Sequence, residues 1–251
     1  MCTLAIYFQS NPDYPIVVAA NRDEFYDRAA LPPRRLGGDP WIIGGQDIVA
    51  GGTWLGVNAD AMLAGILNRR APHPPDPTLR SRGVLCLEML QESTVANAVA
   101  KVSASPGRLY NPFNLLIASP TAAAVVGNIT GHMVATALQP GLHLLTNLEL
   151  NDPECPRIAK SYALFDAVGQ NLGEGDLAAL LAALRGILSD HSTPLDPRSE
   201  GLPNNLCVHT DRFGTRSSTV LIYGHREHRF RMWHADGAPC QAPFVEIVLP
   251  S

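Results

Sequence analysis

Charged residues are scarce in this chain of 251 residues, and long apolar runs are missing. Only 17% of the residues are charged, while glycine and proline occur 21 times each, which excludes a coiled coil and a disordered tail. No stretch approaches eighteen apolar residues, and the first residues lack a basic segment followed by an apolar run. We therefore expect a cytoplasmic protein without a membrane span, folded as a single domain over residues 1–251.

The charge balance and the cysteines exclude two further classes. The formal net charge is −4 and the basic residues are scattered, so nucleic acid is not an expected partner. The five cysteines are odd in number, far apart and without CxxC spacing, so neither a disulfide framework nor a metal site is expected. They are Cys2, Cys86, Cys155, Cys207 and Cys240.

Several common catalytic motifs are also missing. Walker A, GxSxG and HExxH do not occur, and SxxK is excluded because neither Lys101 nor Lys160 follows a serine by three residues. His225 and His228 are spaced as metal ligands can be, but they stand between two strand-like runs. We interpret them as the polar tip of a hairpin.

Hydrophobic periodicity predicts blocks of strands that alternate with pairs of helices. A hairpin is expected at residues 3–8 and 16–20, and four runs after residue 112 read as one meander. This pattern favours an α+β architecture of antiparallel sheets with helices packed outside them. The predicted meander covers residues 113–118, 122–126, 132–137 and 142–145, and the predicted helices cover residues 83–91, 95–102, 157–168 and 176–188.

Position 2 carries the residue of greatest chemical interest. Removal of the initiator methionine would leave Cys2 with both a thiol and a free α-amino group. Their ordinary pKa values, about 8.5 and about 7.7–8.0, suit proton transfer near neutral pH. The alternative interpretation is that Cys2 is a small apolar residue at the start of a strand.

The tetrad Asn21-Arg22-Asp23-Glu24 and four other segments resemble the NRDE family, also called the transport and Golgi organisation 2 family. The other segments are Met1-Cys2-Thr3 with Gly51-Gly52-Thr53-Trp54-Leu55-Gly56-Val57-Asn58, Leu145-Thr146-Asn147, and Gly214-Thr215-Arg216-Ser217-Ser218-Thr219. The family is similar in turn to cysteine N-terminal-nucleophile hydrolases, and this implies a four-layer αββα sandwich with two antiparallel sheets and helices outside.

Resemblance to the bile-salt and penicillin V acylases of that superfamily implies a set of site residues. Cys2 would be the nucleophile, and Asp23 would orient its α-ammonium. Asn68 and Asn147 would donate to the oxyanion. Arg216 would lower the pKa of the thiol or hold an anionic group of the substrate. The acylases carry an arginine three residues before their aspartate, and the matching residue of this chain is Ala20.

Four further residues are secondary candidates. Alternation along a strand predicts that Asn21 and Asp23 point toward Cys2 while Arg22 points away. For Arg22, Glu24 and Trp54, a structural role is the preferred interpretation.

Two functions follow from the resemblance. The first is a cysteine amidohydrolase that cleaves a non-peptide C–N amide of a small molecule and requires no cofactor. The alternative is a haem-binding or haem-trafficking protein on the same fold without hydrolase activity; a scaffold without any ligand is the third reading. The candidate haem ligands are Cys155 in a Cys-Pro pair, His73, His132, His143 and His209, each of which also has a structural interpretation.

Overall fold

The computed structural model describes residues 2–129, 131–170, 177–192 and 205–250, which form two antiparallel sheets and four α-helices. The strands are β1 (Thr3–Phe8), β2 (Ile16–Phe25), β3 (Ala30–Gly37), β4 (Ile42–Asp47), β5 (Leu55–Asn58), β6 (Leu63–Asn68), β7 (Phe113–Ser119), β8 (Ala122–Asn128), β9 (Met133–Ala137), β10 (Gly141–Leu145), β11 (Phe213–Gly224), β12 (Arg229–Ala235) and β13 (Val245–Ile247). The helices are α1 (Arg82–Met89), α2 (Val95–Ala104), α3 (Pro156–Gly169) and α4 (Leu177–Leu188).

Contacts divide the chain into two compact units. The first unit comprises the described residues of 1–27 and 140–248, and it holds a six-stranded sheet in the order β10-β1-β2-β11-β12-β13. The second unit comprises residues 28–139, with the last residues of the chain, and holds the seven-stranded meander β3 to β9. Within the described residues, no helix has the length and apolarity that a membrane crossing requires.

The first unit buries one face of its sheet under α3 and α4. Alternate residues of β1 and β2, such as Tyr7 and Ala19, pack with Phe165 and Leu184 of these helices. The Tyr7 hydroxyl donates to the main-chain oxygen of Phe165 at 2.6 Å, which satisfies its only polar group inside this core.

The second unit is built in the same way. Its helices α1 and α2 pack on the sheet and share a core with β6, β7 and β8. Leu85 and Met89 of α1 and Ala98 of α2 are buried there, together with Leu115 of β7. Ser81 and Thr94 cap the two helices, each accepting a hydrogen bond from a main-chain N–H three residues later.

The predicted hairpin at the start of the chain is confirmed as β1 and β2, but the predicted meander is wrong in its last strand. Strands β7, β8 and β9 do form a meander, whereas β10 leaves that sheet and pairs with β1. Periodicity reveals a strand but not its partner, so the change of sheet after residue 139 has no local signal. Strand β3 was not predicted; it contains Pro32 and Pro33 and lies at the edge of its sheet, where prolines are tolerated.

A buried histidine is expected to make stability depend on pH. His234 of β12 has its Nδ1 at 2.9 Å from Thr219 Oγ1, and burial lowers its pKa from 6.5 to about 4. Because the folded pKa is depressed, the unfolded chain takes up the proton first as the pH falls. The contribution of the neutral His234 side chain to the free energy of unfolding is complete above pH 6.5. It decreases by up to about 3 kcal/mol as the pH falls to 4. Urea unfolding at pH 7.5 and pH 4.5 measures this difference.

The matched variants are His234→Gln and His225→Gln, because His225 is exposed at the turn between β11 and β12. The first variant should lose most of this acid sensitivity and the second should keep it. Equal sensitivity in all three proteins would show that other groups control acid unfolding.

Candidate functional site

Cys2 stands immediately before β1, which lies between β10 and β2 in the first sheet. The last pairs on the two sides are Leu4 with Leu145 and Thr3 with Asn21. Continuing the register with β2 by one residue sets Cys2 opposite Arg22, whereas Asn147 stands two residues beyond the end of β10. Paired residues of antiparallel strands present their side chains to the same face, so Cys2 and Arg22 share one face of the sheet and Asn21 and Asp23 occupy the other.

The Cys2 thiol contacts the strand that carries Asp23. Its Sγ lies 3.6 Å from the main-chain oxygen of Asp23, and the residue is half-buried. Burial raises the pKa of the Cys2 thiol, the negative charge of Asp23 raises it further, and the charge of Arg22 acts in the opposite direction. The thiol is therefore protonated at neutral pH, and it needs a base to become a nucleophile.

Asp23 is held in a buried polar network on the helix side of the sheet. Its Oδ1 accepts a hydrogen bond from Thr215 Oγ1 at 2.7 Å, and its Oδ2 lies 3.6 Å from a guanidinium nitrogen of Arg157. The side chains of Arg157 and Asp23 are 1% and 0% exposed. Burying a carboxylate costs free energy unless it is paired and hydrogen-bonded, and here a guanidinium and a hydroxyl face it.

Arg157 connects three segments of the first unit, namely α3, β1 and the segment that contains Asn205. It projects from the first turn of α3 and donates to Thr3 Oγ1 at 3.1 Å and to the main-chain oxygen of Asn205 at 2.6 Å. Burial lowers the pKa of Arg157, and the charge of Asp23 acts in the opposite direction. The guanidinium thereby holds Thr3, the first residue of β1, next to Cys2.

Sequence reasoning missed Arg157, although one local signal pointed to it. A cation in the first turn of a helix opposes the helix dipole, so it needs another reason to be there. Arg157 also falls on the buried stripe of α3 with Ile158, Ser161 and Phe165, where an arginine requires a partner.

The predicted element Gly214-Thr215-Arg216 reaches the site through Thr215 rather than through Arg216. Thr215 pairs with Asp23, and a β-bulge at Arg216 shifts the register before Ser217 pairs with Arg22. The bulge turns Arg216 toward the end of β2, where it donates to the main-chain oxygen of Tyr26. The extra residue thus separates the two neighbouring side chains.

The remaining residues of the tetrad have different surroundings. The Asn21 amide donates to the main-chain oxygens of Leu188 and Leu206 at 2.8 and 2.9 Å, and it accepts from Ser218. Asn21 therefore lies on the helix side, as the Asp23 carboxylate does, and links β2 to α4. The strand alternation was expected to turn both toward Cys2 and Arg22 away, and this expectation is wrong, because Arg22 is the residue opposite Cys2. Glu24 accepts from the main-chain N–H of Phe25 at 2.9 Å, in keeping with a structural role.

Two of the predicted residues lie in the second unit. Asn68 is the last residue of β6, pairs with Phe113 and is exposed. Trp54 covers Gly45: a Cβ atom at Gly45 would come within 2.2 Å of the indole ring. This contact agrees with the structural interpretation of Trp54.

Four of the five candidate haem ligands have ordinary environments, whereas His209 lies beside Cys207 and Cys240. Cys155 is 2% exposed and belongs to the core beneath α3. His143 Nδ1 lies 3.1 Å from the Asn151 amide, and His73 and His132 are exposed in the second unit. In the described ranges, no observation at these residues favours haem over a structural role.

Comparison with known proteins decides the family. The family model described as transport and Golgi organisation 2 matches residues 1–233. The chain belongs to this family. The transport and Golgi organization protein 2 homolog of Bos taurus is 30% identical over 246 residues, which cover 88% of each chain. The homolog of Mus musculus is 29% identical over 252 residues, 91% of this chain and 90% of the relative, and the Drosophila melanogaster protein is 24% identical over 260 residues, 88% and 87%.

Solved structures show the fold of this family member. Penicillin V acylase from Agrobacterium tumefaciens has a TM-score of 0.58 at 15% identity, with 96% of this chain and 93% of that chain covered. The Caenorhabditis elegans ortholog of N-acylethanolamine-hydrolyzing acid amidase has a TM-score of 0.55 at 14% identity, with 99% and 100% covered. The predicted α+β fold of the N-terminal-nucleophile hydrolase type is thereby confirmed.

Proposed function

We propose that this family member is a cysteine N-terminal-nucleophile amidohydrolase that cleaves a non-peptide C–N amide of a small molecule. The observation that supports it most is the position of Cys2: half-buried, next to the strand carrying Asp23, with Asp23 enclosed by Thr215 and Arg157. An ion pair that is 0–1% exposed is costly to maintain for structure alone, and it is a usual feature of sites where a charge must be held in place.

In the proposed reaction, the chain with Met1 removed uses the α-amine of Cys2 as its base. The amine takes the thiol proton, the sulfur attacks the amide carbonyl carbon, and a C–S bond forms. Collapse of the tetrahedral intermediate breaks the C–N bond, and the α-ammonium gives its proton to the leaving amine. Water then attacks the thioester while the amine accepts a proton from it, the C–S bond breaks, and the α-ammonium gives this proton to the departing thiolate as the carboxylic acid leaves.

The raised pKa of the Cys2 thiol agrees with a reaction in which the thiol is the nucleophile and the α-amine is its base. A thiol that stays protonated does not react with solvent oxidants, and it becomes a thiolate only when the adjacent amine accepts its proton. The carboxylate of Asp23 would stabilise the α-ammonium formed in that step. Because Thr215 and Arg157 fix the carboxylate, it would orient the base without leaving its position.

Asn147 is the proposed oxyanion donor from the first unit. Asn147 follows β10, the strand that pairs with β1 next to Cys2, and its amide would face a carbonyl bound to the sulfur. A donor of this kind contributes about 2.7–4 kcal/mol to transition-state stabilisation. Asn68 is proposed as the second donor, from its match to the acylase segment.

Intact-mass measurement after treatment with an acylating probe tests the proposal. The probe is an acyl β-lactone, and the samples are the chain purified without an N-terminal tag, Cys2→Ala and Cys240→Ala. We expect loss of Met1 and one adduct per chain in the first and third proteins, and no adduct in Cys2→Ala. Hydrolysis of acyl p-nitroanilides should follow the same pattern.

Cys240 is the matched control because its side chain is exposed, so an adduct there would reveal unselective acylation. If Met1 is retained in the purified chain, or if the adduct persists in Cys2→Ala, Cys2 is not an N-terminal nucleophile and the proposal fails.

A further inference from the structure

Four side chains of the first unit that can ligate a metal ion lie close together. His191, Cys207, His209 and Cys240 each offer one ligand atom, and all four atoms lie within 4.8 Å of one another. They come from three places: the residues after α4, the segment before β11, and a turn after β12. The cysteine spacing predicted no metal site, but folding brings two of the five cysteines together.

The distances within this cluster match the edges of a zinc tetrahedron. The Sγ atoms of Cys207 and Cys240 are 3.6 Å apart, and His209 Nε2 lies 3.5 Å from the first and 3.2 Å from the second. Bond lengths of about 2.3 Å to sulfur and about 2.0–2.1 Å to nitrogen give tetrahedral edges of about 3.8 Å between sulfurs and about 3.5 Å between sulfur and nitrogen. Three of the four ligands therefore stand within a few tenths of an ångström of coordinating positions.

The fourth ligand, His191, has its ring oriented by the main chain. Its Nδ1 lies 2.9 Å from the main-chain oxygen of Cys207. A carbonyl oxygen can only accept, so Nδ1 carries the proton and Nε2 keeps its lone pair free for a metal. Metal-binding histidines are commonly fixed by such a hydrogen bond on the other ring nitrogen.

The cluster is accessible from solvent, and the backbone between two of its residues is held by hydrogen bonds to β11. His191, His209 and Cys240 are exposed, while Cys207 is buried. The intervening Val208 exchanges two hydrogen bonds with Thr215, at 2.8 and 2.9 Å, so the ligands sit on backbone that β11 holds. An ion can enter without unfolding the sheet.

We propose that His191, Cys207, His209 and Cys240 form a structural zinc site of Cys2His2 type, distinct from the Cys2 site. Two thiolates with two imidazoles in a tetrahedral arrangement suit zinc, and four protein ligands leave no position for a substrate. Binding displaces one proton from each thiol into solvent and requires no oxidant or reductant.

Metal analysis of the full chain tests this site. The chain is reduced, dialysed against zinc and then against buffer without metal, and its zinc is measured by inductively coupled plasma mass spectrometry. We expect one zinc per chain. In Cys240→Ser and His209→Ala, the zinc affinity should fall by more than the about 10–100-fold that results when a hydrogen-bond partner of a ligand is lost. Cobalt loaded in place of zinc should give the visible absorption of a tetrahedral thiolate site in the parent chain and not in these variants.

Cys2→Ser and His225→Ala are the matched controls, because each removes a ligand-type side chain outside the cluster and should keep the zinc. Cys240 and His209 are exposed, so circular dichroism should show that their variants remain folded. The inference is overturned if the reduced chain retains no stoichiometric zinc, if all variants bind it equally, or if Cys207 and Cys240 form a disulfide in the purified chain in place of metal.

Discussion

Replacement of Arg157 by methionine is expected to lower the free energy of unfolding by about 3–5 kcal/mol, because the variant leaves the Asp23 carboxylate buried without its cation. Methionine retains an unbranched apolar side chain, so most of the loss comes from the charge and not from packing. Hydrogen bonds to Thr3 and to the main chain of Asn205 disappear as well. Urea unfolding at pH 7.5 measures the change.

The matched control is Arg231→Met, in β12 of the first unit. Arg231 binds Glu246 through two hydrogen bonds of 2.9 and 3.1 Å, which are shorter than the 3.6 Å between Arg157 and Asp23. Arg231 and Glu246 are both well exposed, so loss of this ion pair should lower the free energy of unfolding by only about 0.2–1 kcal/mol. If the two variants lose equal stability, burial is not what makes the Arg157 pair important.

The double variant Asp23→Asn with Arg157→Met separates charge from shape. Removing both charges together avoids leaving either one buried alone, so it should recover much of the stability lost by Arg157→Met. A double variant as unstable as the sum of the two single ones would contradict a direct Asp23–Arg157 interaction.

Asp23→Asn is expected to change two properties of Cys2 in opposite directions. The negative charge of Asp23 raises the pKa of the thiol, so its removal should increase the thiolate fraction and accelerate alkylation by iodoacetamide at pH 7.5. Amide turnover should instead fall by about 10²–10⁴-fold, because the α-ammonium loses the group that orients it. Rates of alkylation and of p-nitroanilide hydrolysis over pH 6–10 measure both effects.

Thr215→Val serves as the control for this prediction. It removes the hydrogen bond to Asp23 but keeps the carboxylate charge, so alkylation should stay near the parent rate while turnover falls less than in Asp23→Asn. Parallel decreases in both rates for Asp23→Asn would indicate a collapsed site and would contradict the proposed division of roles.

Much of the fold was predictable because strands and helices leave periodic signals, and the family resemblance supplied their arrangement. The pair of Cys2 and Asp23 was likewise predictable from its motifs. What escaped prediction depends on partners far apart in the sequence: Thr215 is 192 residues from Asp23, and Arg157 is 154 residues from Thr3. No local pattern encodes such a pairing.

A second kind of failure came from single-residue shifts. Arg216 was predicted from its match to a region where the acylases carry an arginine, and the β-bulge that turns it away from the site is invisible in the sequence. Asn21 was assigned to the wrong face because the register between β1 and β2 was not known. Likewise, Cys207 and Cys240 become neighbours only after β11 and β12 have formed a hairpin.

The order of strands in the first sheet has a consequence for biosynthesis. Strands β1 and β2 leave the ribosome early, but the strands on their outer sides, β10 and β11, begin only at residues 141 and 213. Closing such long loops is slow, and the nascent hairpin meanwhile lacks Asn147, Arg157 and Thr215. Cys2 is therefore translated long before the residues that would make it reactive, and the growing chain carries an unassembled thiol until its last third has been made.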